Sequence, residues 1–225
     1  MLVSRAVVML KITTMDKTQL AIQGFDQCAE EYQDRFMNLD HYHEMLDIFC
    51  TEIVPGNATV LDVACGPGNI TRYLLEKRPE LTLLGIDLST EMLKLARSNN
   101  PGAQFRIMDA RESEQLDLKF EAVVCGFGLP YLSREDALQF IGKVAAVLKP
   151  QGIFYLSTME DDYERSRLIS SSSGKISMYI HYHQADYLSQ ALEAHGFELI
   201  KLSRIVEPEP TPSSTRDLVI ISRLR

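Results

Sequence analysis

One stretch, VLDVACGPGNI from Val60 to Ile70, constrains the fold more than any other part of the chain. The apolar run from Thr59 to Val63 predicts a buried strand, and the periodic pattern of a helix begins at Asn69. Gly66-Pro67-Gly68 stands between them, and a side chain at either glycine would hold a ligand away from the backbone N–H groups. A strand, a glycine turn and a helix start together predict the floor of a nucleotide-type pocket.

The residues around this turn narrow the choice of nucleotide. A dinucleotide fingerprint, G-x-G-x-x-G, requires a third glycine where this chain has Thr71. Asp62 lies in the first strand, and Asp87 closes the next apolar run, LTLLGID. An acid at such a strand end accepts hydrogen bonds from ribose hydroxyls. NAD and S-adenosylmethionine both carry a ribose, so Asp87 alone leaves both cofactors open.

Three motifs in order resemble those of class I S-adenosylmethionine-dependent methyltransferases. DVACGPGN resembles the first motif of the family, with Ala64 in place of the usual first glycine. GIDLS, with Asp87, resembles its ribose-binding second strand, and MDAR, with Asp109, resembles the third-strand acid that meets the adenine. Within the class, the chain resembles small-molecule methyltransferases of the ubiquinone-biosynthesis type. The resemblance implies S-adenosylmethionine as the cofactor.

The resemblance also implies an α/β fold: a Rossmann-like, doubly wound sheet of seven strands, mostly parallel with the last strand antiparallel, and N-terminal lid helices. The alternation of strands and helices along the chain itself predicts a parallel sheet. We expect two helices between residues 23 and 52, strands at 59–63, 81–86, 104–108, 121–125, 153–157, 197–205 and 218–223, and further helices at 69–77, 90–98, 134–148 and 184–193.

We expect one methyltransferase domain, residues 23–225, after a disordered N-terminal extension, residues 1–22. The apolar run in the extension is too short for a signal peptide or a membrane anchor, and either Met1 or Met15 fits as the first residue. Residues 159–183 break the alternation and hold four consecutive serines. Because α/β folds build ligand sites beyond the carboxyl ends of their strands, we expect this irregular insertion to cover the methyl acceptor, with the serine run as a flexible loop.

The residues implied as cofactor contacts follow the motifs and the strand ends. Tyr32, in the first lid helix, fits either a contact to the methionine half of the cofactor or packing on the core. Cys65 and Cys125 also fit as small packing residues. The full set is Tyr32, Asp62, Ala64, Cys65, Gly66, Gly68, Asp87, Leu88, Asp109, Ala110, Cys125 and Gly126.

Methyl transfer requires alignment, exclusion of water and, for an O–H or N–H acceptor, removal of a proton. His181, His183 and Tyr131 are the candidate catalytic residues, since His titrates near neutral pH; each His also fits a structural role. GFGLPYL, after the fourth strand, lacks the D/N-P-P-Y/F motif of enzymes that methylate base amines or glutamine amides. Cys125 lacks the preceding proline of enzymes that methylate cytosine at C5.

The composition favours a small-molecule acceptor. A net charge of −8 argues against an enzyme whose affinity comes from neutralising the phosphates of nucleic acid. The four cysteines form no C-x-x-C pair, which predicts reduced thiols and a cytoplasmic location. His41 and His43 point to different faces of a helix, so we expect no metal site. The sequence leaves the oligomeric state open.

The favoured hypothesis is S-adenosylmethionine-dependent methyl transfer to an O, N or C atom of a small molecule. The alternatives are a non-catalytic S-adenosylmethionine-binding regulatory domain, a methyltransferase that acts on protein or RNA, and a dinucleotide oxidoreductase. The fold does not distinguish these functions, because they depend on the residues of the site.

Overall fold

A computed structural model describes residues 17–54, 56–170, 176–205 and 216–225. Within these residues the helices are α1 (Lys17–Phe36), α2 (His43–Glu52), α3 (Asn69–Lys77), α4 (Thr90–Asn99), α5 (Arg134–Val147) and α6 (Ala185–Ala194). The strands are β1 (Thr59–Val63), β2 (Thr82–Asp87), β3 (Gln104–Ile107), β4 (Phe120–Gly126), β5 (Leu148–Glu160), β6 (Arg167–Ser170), β7 (Ser177–Ile180), β8 (Phe197–Ile205) and β9 (Arg216–Leu224). Short 3-10 turns span Asp40–Tyr42, Ala110–Leu116, Leu129–Tyr131 and Tyr163–Arg165.

Seven strands form one sheet in the order β3-β2-β1-β4-β5-β9-β8. β1 pairs in parallel with β2 and β4, β2 with β3, and β4 with β5, whereas β9 lies antiparallel between β5 and β8. The predicted Rossmann-like sheet, mostly parallel with an antiparallel last strand, is confirmed. The strand order reverses at β1, between β2 and β4, and such a reversal opens a crevice at the carboxyl ends of the strands.

Alternate residues of the central strands face two hydrophobic cores, one on each side of the sheet. Leu61 and Val63 of β1 pack with residues of α5 and α6, among them Phe140 and Leu188. Val60 packs in the other core with residues of α2 and α3. Burial on both faces is typical of strands in a parallel sheet, and the predicted doubly wound arrangement is confirmed.

β1, α3 and β8 begin and end at the predicted residues. β5 is longer than the predicted 153–157, because the turn expected at residues 149–152 is a bulge inside the strand. Gln151 takes a left-handed φ of 66° there, and the register with β4 shifts between Phe120 and Ala122. The bulge bends the strand without ending it.

Helix α1 begins earlier than predicted. Residues 17–22, placed in a disordered extension, are helical, and residues 1–16, with both candidate start methionines, lie outside the described residues. A Cβ on Gly24 would lie 2.5 Å from Met178 Cε, so the helix backbone rests directly on β7. Cys28 has non-helical angles, φ −116° and ψ 17°, which divide α1 into a first half, residues 17–27, and a second half, residues 29–36.

The insertion at residues 159–183 is more regular than predicted. β6 and β7 form an antiparallel ladder with Ile169 opposite Met178, and residues 171–175 between them lie outside the described part. Met178 and Ile180 are the buried positions of β7 and pack with Phe25 of α1. The prediction of an irregular segment is wrong for both strands, since alternation over only four residues gives too weak a signal in the sequence. Most of the serine run, which was predicted to be a flexible loop, lies outside the described residues.

Candidate active site

A cavity of about 780 Å³, measured with its mouth, lies over the carboxyl ends of β1, β2 and β4 and under the first half of α1. Met92, Met108, Phe127 and Leu132 form apolar parts of its wall. The predicted site residues that line it are Tyr32, Ala64, Gly66, Asp87, Leu88, Asp109, Ala110, Gly126 and Tyr131.

The turn after β1 contains three residues in the left-handed conformation. Ala64, Gly66 and Gly68 have φ values of 55°, 53° and 78°. A Cβ on Gly66 would point toward Tyr32, whose Cε1 lies 3.9 Å away, so glycine keeps the backbone open to the cavity. Ala64 adopts the same conformation with a Cβ, which costs about 1 kcal/mol relative to glycine. The usual glycine of the first motif would avoid this cost.

The carboxylate of Asp87 joins two loops of the cavity floor. Oδ2 accepts the Gly66 N–H at 2.9 Å, and Oδ1 accepts the Ser89 N–H at 2.8 Å. Burial raises the pKa of Asp87, while these N–H groups oppose the rise by stabilising the charged form. Each carboxylate oxygen has two lone pairs, so one on each remains for the hydroxyls of a ribose. The residue therefore fits the nucleoside half of S-adenosylmethionine.

Asp109 follows β3, the strand next to β2, and also lines the cavity. It pairs with Arg111. Arg111 Nη2 contacts Oδ2 at 2.6 Å, and the Arg111 N–H donates to Oδ1 at 2.8 Å. Burial alone would raise the pKa of Asp109, but the hydrogen bonds and charge of Arg111 outweigh it, so the pKa is lowered. Asp109 is thus a charged acceptor that can receive a hydrogen bond from an adenine amino group.

Four predicted cofactor contacts do not line the cavity: Asp62, Cys65, Gly68 and Cys125. Asp62 is 1% exposed and accepts the Thr71 hydroxyl at 2.6 Å, because it precedes the last residue of β1 and points toward α3. Burial raises its pKa to about 7. Cys65 packs beside Phe105, Cys125 packs in the core, and a Cβ on Gly68 would meet the Asn100 amide at 2.4 Å. The geometry does not support ligand contacts by the side chains of Asp62, Cys65 and Cys125, and Gly68 faces Asn100 rather than the cavity.

The two candidate histidines are buried and do not line the cavity. His183 Nε2 contacts the Leu129 carbonyl oxygen at 2.9 Å, and Nδ1 contacts the Tyr187 hydroxyl at 2.6 Å. A carbonyl only accepts, so Nε2 carries the proton and Nδ1 accepts from Tyr187. The His181 ring lies against Tyr163 and Tyr179. Burial lowers the pKa of each histidine to about 4, so both are neutral near pH 7 and fit structural roles.

Tyr32 and Tyr131 bring hydroxyl groups to the cavity. The Phe25 ring lies between them, with ring centroids 5.6 Å from Tyr32 and 4.9 Å from Tyr131. Neither hydroxyl has a hydrogen-bond partner in the part of the chain that the structure describes. Burial raises the pKa of Tyr32 to about 12 and that of Tyr131 further. Both phenols therefore stay neutral near pH 7 and act as hydrogen-bond donors.

The first half of α1 supplies cavity residues that sequence reasoning missed. Thr18, Ala21, Ile22 and Phe25 line the cavity, and their spacing places them on one face of the helix. The spacing could have indicated a helix from the sequence alone, but residues 1–22 were predicted to be an extension. None of the described residues between 159 and 183 lines the cavity. Instead, Met178 of β7 supports α1 from behind, at Gly24.

Within the described residues, no group of three or more His, Cys, Asp and Glu side chains is arranged to hold a metal ion. Among the same residues, no helix has both the length and the apolar character needed to span a bilayer.

Comparisons with known proteins agree with this geometry. Residues 60–152 match the family model described as methyltransferase domain. Putative methyltransferase YqeM of Bacillus subtilis is 42% identical over 105 residues, 44% of this chain and 42% of that protein. Demethylmenaquinone methyltransferase of Thermotoga maritima is 29% identical over 137 residues, 59% of this chain and 58% of that protein. The chain thus spans less than two thirds of these relatives' length.

Solved structures match over most of the chain. The DhpI–SAH complex has a TM-score of 0.71 at 19% identity and covers 93% of this chain and 97% of its own. Magnesium protoporphyrin IX methyltransferase of Synechocystis, with bound SAM, has a TM-score of 0.68 at 16% identity and covers 94% of this chain and 98% of its own. At such identities, the likeness shows the fold.

The matched segment and the fold agree with each other. Residues 60–152 match a methyltransferase domain and contain almost all of the first four strands of a sheet that the solved structures share. The predicted resemblance to class I S-adenosylmethionine-dependent methyltransferases is confirmed.

Proposed function

We propose that this chain is an enzyme that transfers a methyl group from S-adenosylmethionine to a small molecule. The observation that carries the proposal is the position of Asp87. It lies at the carboxyl end of β2, opposite the Gly66 turn, with lone pairs open to the cavity. The cavity continues from this acid to the apolar face of α1, which leaves room for a second molecule beside the cofactor.

In this proposal the floor of the cavity holds the cofactor. Asp87 accepts hydrogen bonds from the ribose, Asp109 receives the adenine amino group, and Leu88 and Ala110 flank the base. Gly66 and Gly126 leave the backbone open to the methionine half, and Tyr32 lies over that half. S-adenosylmethionine, when bound, supplies a methyl group on a good leaving group. The chain's own residues orient the acceptor and exclude water.

Tyr131 is the proposed orienting residue for the acceptor. Its hydroxyl is unpaired within the described residues, lines the cavity and stays protonated near pH 7. A neutral phenol donates a hydrogen bond to one lone pair of an acceptor oxygen and leaves the second lone pair of that atom available for attack. We therefore assign Tyr131 to alignment, and His181 and His183 to structural support. The acceptor is proposed to be small, because the cavity is largely apolar and its volume, mouth included, is about 780 Å³.

The remaining parts of the proposal follow from the chain as a whole. The described residues from 17 to 225 act as one domain, joined by the continuous sheet. Cys28, Cys50, Cys65 and Cys125 are all free, which supports a reducing, cytoplasmic environment. The net charge of −8 supports a small-molecule partner over nucleic acid.

Two measurements test the proposal. Calorimetry with S-adenosylhomocysteine is expected to show binding, and release of S-adenosylhomocysteine from S-adenosylmethionine is expected to depend on one member of a panel of small acids, phenols and amines. Tyr131→Phe keeps the ring and removes the hydroxyl, so it is expected to lower kcat with little change in cofactor affinity. No binding to wild type would refute the cofactor assignment. Binding without turnover on any acceptor would favour the non-catalytic alternative.

A further inference from the structure

Asp26, in the first half of α1, forms a contact that joins the helix above the cavity to a loop below it. Its Oδ1 accepts the Ser89 hydroxyl at 2.6 Å and the Glu91 N–H at 3.3 Å. The Ser89 oxygen in turn accepts the Met92 N–H at 3.1 Å and caps α4. A hydroxyl has one proton, so donation to Asp26 directs its lone pairs toward Met92. Asp26 thereby sets the orientation of Ser89.

Ser89 also belongs to the loop that carries the proposed ribose acid. Its N–H donates to Asp87 Oδ1 at 2.8 Å, and Asp87 Oδ2 accepts the Gly66 N–H at 2.9 Å. A continuous path of hydrogen bonds therefore runs from α1 through Ser89 and Asp87 to the glycine turn. A shift of α1 at Asp26 is transmitted to both loops of the floor.

The first half of α1 has the construction of a movable segment. Its inner face lines the cavity, and its outer face rests on β7, where Gly24 meets Met178 and Lys17 Nζ lies 3.6 Å from the centre of the Tyr179 ring. The helical conformation is interrupted at Cys28. A helix half that ends at such a break can rotate as a unit, with the change in φ and ψ absorbed at the break.

We propose that Asp26 is a positioning residue: its hydrogen bond to Ser89 latches residues 17–27 over the cavity and holds the Asp87 loop in the conformation that binds the cofactor. Opening occurs by rotation about Cys28 after this bond breaks. The inference rests on the proposed function for the identity of the ligand, but the contact itself does not depend on it.

The test measures ligand release and local opening in the full chain. Surface plasmon resonance gives the dissociation rate of S-adenosylhomocysteine, and hydrogen exchange reports the amides of residues 17–27. Asp26→Ala is expected to raise the dissociation rate on the order of tenfold or more, as expected for loss of a charged hydrogen bond, and to speed exchange in residues 17–27 but not in the sheet. Asp26→Asn keeps an oxygen acceptor and is expected to change the rate by less than about threefold.

Two controls separate a latch from general support of the fold. Asp34→Ala removes an exposed acid from the second half of α1 and is expected to leave both readouts unchanged. In a Ser89→Ala background, Asp26→Ala is expected to have little further effect, because the shared bond is already absent.

An unchanged dissociation rate and exchange in Asp26→Ala, additive effects with Ser89→Ala, or faster exchange throughout the sheet would each overturn the proposal. If wild type binds no S-adenosylhomocysteine, the proposed function fails. The exchange of residues 17–27 in the ligand-free chain then still decides whether the latch exists.

Discussion

The floor and the cover of the cavity are held in place in different ways. The floor consists of the loops after β1, β2 and β3, and it is fixed by hydrogen bonds at the sheet edge, such as those from the Gly66 and Ser89 N–H groups to the Asp87 carboxylate. The cover consists of residues 17–27 of α1 together with β6 and β7. It is fixed by side-chain contacts between segments distant in sequence, such as Gly24 with Met178. The floor is therefore the rigid half of the site, and the cover is the adjustable half.

The largest expected effect tests the floor. Asp87→Ala removes the proposed ribose acceptor, and two charge-assisted hydrogen bonds are worth on the order of 3 to 6 kcal/mol. We expect calorimetry to show a loss of S-adenosylhomocysteine affinity of several hundredfold or more. Circular dichroism is the control that the sheet remains folded. Unchanged affinity would remove Asp87 from the site and the floor from cofactor binding.

Two glycine variants compare the side of the turn that faces the cavity, at Gly66, with the side that faces Asn100, at Gly68. Gly66→Val places a side chain in the cavity and is also strained at its φ of 53°, so it is expected to lower stability and to weaken S-adenosylhomocysteine binding by the folded protein at least about a hundredfold through steric exclusion. Gly68→Val points at Asn100 and is strained at its φ of 78°, so it is expected to lower stability by about 3 to 5 kcal/mol. Calorimetry and urea unfolding measure the two effects. Equal loss of affinity in stable variants would contradict the assignment of Gly68.

His183 tests how the segment that follows β7, next to the cover, is attached to the loop after β4. Burial lowers its pKa to about 4, whereas an unfolded histidine titrates near pH 6.5. Between these values the unfolded chain binds a proton that the folded chain does not, so stability is full above about pH 6.5 and falls as the pH decreases toward 4. Urea unfolding at about pH 7.5 and about pH 4.5 is expected to show a loss of stability that is about 2 to 3 kcal/mol larger in wild type than in His183→Gln.

Burial lowers the pKa of His181 as well, but His181 is present in both proteins, so its contribution cancels from the difference in stability between them. An identical pH dependence of the two proteins would mean that His183 does not titrate with unfolding.

The smallest expected effect concerns Ala64. Ala64→Gly removes the cost of a Cβ in the left-handed conformation and is expected to raise stability by about 0.5 to 1 kcal/mol without changing cofactor affinity. Urea unfolding and calorimetry check the two parts. Lower stability would mean that the Ala64 methyl group contributes packing that exceeds the strain.

The sequence predicted the floor better than the cover, for physical reasons. Asp87 and Gly66 lie where an apolar run ends and a turn begins, and such local signals survive in a single sequence. The prediction that Asp62 contacts the cofactor is not supported. Side chains alternate along a strand, so an acid one position before the strand end points away from the cavity. The Asp26 contact with Ser89 joins segments that are far apart in the chain, so no local sequence pattern predicts it.

The N-terminal boundary shows a different limit. Thr18, Ala21 and Ile22 have the spacing of a helix face, but they follow an apolar run that was interpreted, together with them, as an N-terminal extension. The segment packs against β7 and lines the cavity, and these contacts between distant parts of the chain leave no local signal in a single sequence.

The place of β9 in the sheet has a consequence for the synthesis of the protein. β9 fills the gap between β5 and β8, and Leu218 and Val219 contribute to opposite cores. On the ribosome, β1 to β5 can pair as they emerge, but β5 keeps an open apolar edge until residue 224 has left the exit tunnel. An unpaired edge of this kind is the site at which a nascent chain aggregates or binds a chaperone. β9 therefore closes the sheet long after the loops of the cofactor floor have been made.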